Sequence, residues 1–193
     1  MRLAILSFIL VLLSGCSNST SNIQRVDTKA IYLTTIHWSS EDLQMMAEAM
    51  IVSILKSGVL DDSSKKVFSF LKIKNTTYDH IDTKSIIETI KISLIKSDRV
   101  TIIDMQKREI LNQELEYQKS QQRYFQEIKK IGRQFGVDGI FFGEISAIYQ
   151  KNSLSKDMFF KFTLNLVDIK SAQIIWSEEK EVRKIYKKRY FGW

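Results

Sequence analysis

The chain has 193 residues, 44% of them hydrophobic, and no proline. Average usage would supply roughly ten prolines, so collagen-like sequence, polyproline spacers and PxxP ligands are excluded; with seven glycines the chain is not mostly linker either. Lys and Arg number 29 against 22 acidic residues, a net charge of +7. That excess reads either as part of a composition rich in Lys, Ile and Asn throughout, or as attraction to an acidic partner such as anionic lipid, a cell-wall polymer or an acidic protein face.

Met1-Arg2 supplies a positive start, and Leu3 to Leu13 is almost unbroken apolar sequence. As a helix this run rises only about 16 Å. A bilayer core is about 30 Å thick, so the run fits the h-region of a secretory signal peptide instead. It ends in Leu13-Ser14-Gly15-Cys16, which resembles the bacterial lipobox at every position. The resemblance implies diacylglyceryl transfer to the Cys16 thiol, cleavage before Cys16 and acylation of the new amino terminus. The alternative is an ordinary signal peptide with a chance cysteine. Several acyl chains would anchor the chain stably, at about 0.8 kcal/mol per buried methylene. In enterobacterial lipoproteins an Asp after the cysteine retains the protein in the inner membrane. Ser17 therefore points to the outer membrane, facing the periplasm, with the inner membrane left open. Cys16 is the chain's single cysteine, so the folded part is expected to hold no disulfide and no thiolate metal site. An exported chain is not expected to meet nucleic acid.

The expected organisation is a signal peptide over 1–15, a lipidated cysteine and short tether over 16–27, one globular domain over 28–183 and a basic, aromatic tail over 184–193. From Cys16 to about Asp27 the tether spans at most about 40 Å.

In the domain, Ile31-Tyr32-Leu33 reads as a short strand. Ser39 or Ser40 can cap a helix, with Glu41 and Asp42 in its first turn. Leu43, Met46, Ala47, Met50, Ile51, Ile54 and Leu55 fall at helical spacing as a buried stripe, and Gly58 can end it. The methionines read as core filler rather than as an adaptable groove. Val67 to Lys74 reads as a strand with Val67, Ser69, Leu71 and Ile73 on one side. Asp82 or Thr83 starts a second helix, amphipathic through Ile86, Ile87, Ile90 and Leu94, and Val100 to Ile103 is the next strand. Asp104 can cap a long charged helical region from Met105 to about Phe135, with a break near Lys119-Ser120 and a close at Gly132 and Gly136. Three strands follow: Gly139 to Tyr149, Asp157 to Asp168 and Gln173 to Val182. In the middle one, Phe160, Phe162, Leu164 and Leu166 alternate with Lys161, Thr163 and Asn165, so one face is buried and one wet. The pattern predicts an α+β fold, with a mixed, largely antiparallel sheet of about four strands and helices packed on it.

Catalysis finds little support. The two histidines, His37 and His80, lie in loop and turn sequence, and there is no HExxH, Walker loop, GxSxG or SxxK. Glu144, inside an apolar strand, is either a buried carboxylate or, more ordinarily, a solvent-facing one. The expectation is a non-enzyme with no cofactor, no metal and no small-molecule substrate. Binding features are better represented. The wet face Lys161-Thr163-Asn165 is a candidate docking surface or simply a solvated sheet face. Trp176 is a core ring or an interface anchor. Tyr190 and Trp193, set among basic residues in the tail, suit a membrane surface or a partner groove, or fold back on the domain.

The ordered pieces Phe70-Leu71-Lys72-Ile73-Lys74-Asn75-Thr76-Thr77, Ser93-Leu94, Thr101-Ile102-Ile103-Asp104, Glu114-Leu115-Glu116-Tyr117-Gln118, Gly136-Val137-Asp138-Gly139-Ile140, Leu164-Asn165-Leu166-Val167-Asp168 and Ile174-Ile175-Trp176-Ser177 sit behind a lipobox. In that order they resemble the LpoB-type penicillin-binding-protein activators. The resemblance implies a fold like the TolB N-terminal domain and no enzymatic activity. It also implies an outer-membrane lipoprotein that binds a periplasmic class A penicillin-binding protein and stimulates its glycan polymerisation and cross-linking. Enteric members carry a long Pro-rich stretch between lipid and domain; this chain, without proline, departs from them there. A second reading is a structural or interaction lipoprotein of another envelope assembly.

Overall fold

The computed structural model describes residues 35–61, 64–104, 129–130 and 132–188. The signal sequence, Cys16, the tether, the strand expected at Ile31 to Leu33, most of the charged helix expected from Met105, and residues 189–193 with Tyr190 and Trp193 lie outside the described residues. The described residues all fall in one compact unit.

Helix α1 spans Ser40–Lys56. Ser39 is its cap: the Asp42 carboxylate accepts from the Ser39 backbone N–H at 2.9 Å and from its hydroxyl at 3.0 Å. The expected stripe is the buried one, with Met46, Ala47, Met50 and Ile54 in the core and Leu43, Ile51 and Leu55 packed against it. Gly58 follows the last turn with φ +75°, a conformation glycine adopts without a Cβ penalty.

Val67 to Lys74, expected as one strand, is two. Strand β1 is Lys66–Phe70 and β2 is Lys74–Asn75. The chain leaves the ladder between them, and this breaks the side-chain alternation. Val67 and Leu71 join a small cluster on one sheet face. Ile73, expected beside them, is buried with Phe68 and Phe70 in the main core. Helix α2 is Thr83–Lys96, capped by Asp82, whose carboxylate accepts from the N–H groups of Lys84 and Ser85 at 3.1 and 3.2 Å. Ile86, Ile87, Ile90 and Leu94 face inward as expected. Strand β3 is Val100–Ile102. Residues 129–130 and 132–135 are helical, and Gly136 closes that turn with φ +66°. Strands β4, β5 and β6 are Gly139–Lys151, Ser155–Asp168 and Ile174–Lys187. Strand β6 therefore continues beyond Val182, and Lys184 to Lys187, expected in the tail, belong to it.

The sheet has six strands, in the order β3-β1-β4-β5-β6 with β2 also paired to β4, against about four expected. β2 and β3, at two and three residues, are too short to show a period of two. The pairings β1–β3, β1–β4 and β2–β4 are short and parallel. The long pairings β4–β5 and β5–β6 are antiparallel and dominate. The α+β class with a largely antiparallel sheet is thus the observed one.

Both helices contribute to the core on one sheet face, with Phe68, Phe70, Phe141, Phe160, Phe162, Leu164, Leu166 and Trp176. Phe70 stacks on Phe141 at 4.5 Å and Phe68 meets it edge-on at 5.6 Å. Each large apolar side chain taken fully from water contributes about 1.5–3 kcal/mol. The opposite face is covered at one end by Val137, Ile140, Phe142, Val167 and Ile169, with Phe135 against them. Asp138 ties β4 to β1: its carboxylate accepts from Val67 N–H at 2.9 Å, and its own N–H donates to the Val67 carbonyl at 2.7 Å. That geometry gives a physical role to Gly136-Val137-Asp138-Gly139-Ile140. A Cβ at Gly139 would lie 3.0 Å from both Phe68 and Leu166 side chains.

Candidate functional site

Beyond that second cluster the same sheet face carries polar side chains. The register places Phe142, Asn165 and Ser177 in one row across β4, β5 and β6; Glu144, Thr163 and Glu179 in the next; and Ser146, Lys161 and Glu181 in a third. Lys161, Thr163 and Asn165, the wet positions of the alternating strand, therefore come together. With Phe142, Gly143, Glu144 and Ser146 they line a shallow depression of about 360 Å³. Gly143 is required there by packing, since a Cβ would lie 2.4 Å from the Thr163 carbonyl oxygen.

These side chains are held by one another. Lys161 Nζ lies 3.2 Å from Glu179 Oε2, and the Thr163 hydroxyl donates to the same oxygen at 3.4 Å. Ser177 donates to Asn165 Oδ1 at 2.7 Å. Glu144, the carboxylate left open by the sequence, is half-buried on this face. It accepts from the Thr76 hydroxyl at 3.1 Å, and Lys74 Nζ lies 4.0 Å away. Exposed pairs of this kind contribute little stability each, but they fix the side-chain positions of the face.

Trp176 points the other way. It is 8% exposed, meets Phe141 edge-on at 6.1 Å, and donates from Nε1 to the Ser53 hydroxyl of α1 at 3.3 Å. Its ring is therefore mostly in the core, with only an edge on the groove between α1 and β6. The parity of β6 decides this: Trp176 pairs with Leu166, a core position of β5.

Two residues beyond Thr76 lies a residue the sequence did not single out. Tyr78 is fully exposed at the tip of the turn that Thr76 begins. The turn is stiffened by its own side chains. Asn75 Oδ1 accepts from Thr77 N–H at 2.9 Å, Thr77 Oγ1 accepts from Asp79 N–H at 3.1 Å, and Asn75 Nδ2 donates to the Asp79 carbonyl at 2.9 Å. The Asp79 carboxylate accepts from Trp38 N–H at 2.8 Å and lies 2.9 Å from His37 Nδ1. The readable signal was the Asn-Thr-Thr-Tyr-Asp run, whose short polar side chains favour local turns. Among the described residues no three His, Cys, Asp or Glu side chains are close enough to share a metal ion. No described helix is long and apolar enough to cross a membrane.

Comparison with known proteins gives a family. The model of the peptidoglycan-synthase activator LpoB matches residues 42–182. Among solved structures, the LpoB C-terminal domain from Salmonella enterica is similar, at 17% identity over 73% of this chain and 98% of that one, with a TM-score of 0.49. The LpoB C-terminal domain from Escherichia coli is similar at 16% identity, over 73% and 98%, with a TM-score of 0.46. Lipoprotein GNA1162 from Neisseria meningitidis is similar at 12% identity, over 65% and 88%, with a TM-score of 0.43. No curated protein sequence matches. The family match runs from the first turn of α1 to Val182 of β6, and on that ground the chain belongs to the LpoB family of peptidoglycan-synthase activators.

Proposed function

We propose that this chain is a lipid-anchored periplasmic regulator that binds a class A penicillin-binding protein and raises its rates of glycan polymerisation and cross-linking. The family match over residues 42–182 carries the reading. The protein acts by binding, without chemistry of its own: it favours the more active of two synthase conformations by the difference in its affinity for them. The lipobox supports anchoring through acylated Cys16, and Ser17 supports the outer membrane.

The docking surface is the open sheet face with Lys161, Thr163 and Asn165, and exposed Tyr78 is a second contact. Two observations support this choice. The polar side chains are already fixed by mutual bonds, so little ordering entropy is lost on binding. Tyr78 presents a full aromatic surface from a stiff turn, as interface anchors do.

The test mixes the soluble mature chain with the class A synthases of its own cell and measures binding and glycan polymerisation. Binding with a raised rate is expected, and Tyr78→Ala should weaken binding about tenfold or more. No binding and no change in rate would refute the activator reading and favour a structural role in another envelope assembly. Anchoring is read separately: Cys16→Ser should abolish labelling by radioactive fatty acid and leave uncleaved precursor, and persistent labelling would refute it.

A further inference from the structure

The far end of the sheet, where the β4–β5 hairpin turns and β6 ends, has a different character from the docking face. Lys151 and Lys156 stand directly opposite each other across the hairpin. Lys156 is in turn opposite Tyr186, and Lys187 is opposite Ser155. The Lys188 backbone N–H donates to the Leu154 carbonyl at 2.9 Å, which brings a fourth lysine to the same place. Among the described residues none of the four ammonium groups has an acidic partner. Asp157 of β5 and Asp42 of α1 are already taken. Asp157 is bound by the Arg183 guanidinium through Nε at 3.1 and 3.2 Å and through Nη2. Asp42 is bound by buried Lys184. Like charges directly opposite on a ladder destabilise it, and Lys151 and Lys156 form such a pair.

Apolar and aromatic side chains project among these lysines. Ile148, Tyr149, Leu154, Ile185 and Tyr186 are each between 45% and 59% exposed, a concentration of the described fold's exposed large side chains at this end. The hairpin tip itself is stiff: Asn152 Oδ1 accepts from Leu154 N–H, Ser155 N–H and the Ser155 hydroxyl at 2.9, 2.6 and 3.0 Å. A rigid, basic tip with one leucine at its apex and two tyrosines beside it matches the interfacial layer of a bilayer. There tyrosine rings sit at headgroup level and lysines meet lipid phosphates.

The described residues just before α1 reach the same part of β6. Lys184, three residues before Lys187, donates from Nζ to the His37 carbonyl at 2.9 Å. Three residues of strand are only about 10 Å. His37, just before α1, is therefore held against β6 about three residues from Lys187.

We propose that the β4–β5 hairpin tip and the end of β6 form a second membrane contact, in which Lys151, Lys156, Lys187 and Lys188 bind the anionic headgroups of a bilayer and Leu154, Tyr149 and Tyr186 enter its interface. The proposal uses the lipid-anchor reading only for proximity. One acylated terminus fixes a position but no orientation. A lipid anchor joined by a polybasic contact supplies both, and it stands the sheet with its β4–β5 turn toward the membrane and its Gly139 end away.

The test uses the chain from Ser17, which has no lipid and no cysteine, so membrane affinity owes nothing to acylation. Sedimentation with vesicles of phosphatidylglycerol and phosphatidylcholine should show binding that weakens with added salt, and phosphatidylcholine alone should show little. Replacing the four lysines with Gln should lower the partition coefficient about 100-fold or more. An environment-sensitive dye on Leu154→Cys should shift to shorter wavelength on the anionic vesicles. The same dye on Lys96→Cys, near the Gly139 end, should not. Equal binding to neutral vesicles, an unchanged four-lysine variant, or equal shifts at both positions would overturn the proposal. So would lysine-dependent binding with no shift at Leu154, which would assign the tip to a soluble polyanion. None of these results bears on Cys16 labelling or on synthase stimulation, so the two readings fail separately.

Discussion

The sharpest stability test is Lys184. Its ammonium and the Asp42 carboxylate are 6% and 2% exposed, and they form an ion pair between β6 and the first turn of α1. Lys184 also donates to the His37 carbonyl at 2.9 Å and lies 3.3 Å from the Ser39 hydroxyl. Lys184→Met keeps most of the stem packing and removes all three contacts at once. Asp42 then retains only the two Ser39 donors for a buried negative charge. Breaking a buried pair from one side costs about 3–5 kcal/mol. The two remaining donors place this site near the lower figure, about 3 kcal/mol. A domain of this size has about 5–15 kcal/mol in total. At about 2–4 °C per kcal/mol, the melting point should fall by roughly 6–12 °C. Urea unfolding followed by far-ultraviolet circular dichroism should show a lower midpoint at unchanged slope. Asp42→Asn on the Lys184→Met background should recover part of the loss, because it removes the uncompensated charge. A loss below about 1 kcal/mol, or a double variant worse than the sum of its singles, would refute the argument that the pair is a buried and mutually dependent unit.

Other outcomes follow from the same packing. Gly143→Ala should destabilise by about 1–3 kcal/mol, as overpacking does, because its Cβ meets the Thr163 carbonyl at 2.4 Å; an unchanged melting curve would contradict that contact. Trp176→Ala should cost about 3–5 kcal/mol. Any loss of synthase binding should follow unfolding; loss at full folding, measured by circular dichroism, would return Trp176 to the interface. The Arg183 guanidinium holds the Asp157 carboxyl below its ordinary value of 3.8. A depressed pKa contributes stability that is present above the unfolded value and lost as pH falls through the folded one. Acid unfolding below about pH 4 should therefore be shallower in Asp157→Asn than in the parent chain, and identical profiles would remove this pair from the balance.

The long elements were legible because their periods are long. The α1 stripe from Leu43 to Leu55 and the alternation from Phe160 to Leu166 each repeat often enough to fix a buried face, and both faces are as read. The segment from Val67 to Lys74 was misread for the opposite reason. A break between β1 and β2 changes parity, and an apolar run with residues on both faces carries no period. The candidate site was half legible. Lys161, Thr163 and Asn165 follow from alternation alone, but their partners Glu144, Ser177 and Glu179 come from other strands, and only register makes them neighbours. Tyr78 was missed because exposure at a turn tip leaves no mark in hydropathy.

The sequence by itself determined the class of the fold, narrowed the helix caps to Ser39 or Ser40 and Asp82 or Thr83, and offered the lipobox reading. All of these are local: a cap, a period or a short motif is complete within a few residues of chain. Tertiary structure decided what depends on distant residues meeting. It turned Trp176 inward, joined Asp42 to Lys184 across most of the domain, and gathered Lys151, Lys156, Lys187 and Lys188 at one end of the sheet. Composition gives the charge of +7 but not its location; strand register and the hairpin turn place four of those charges together.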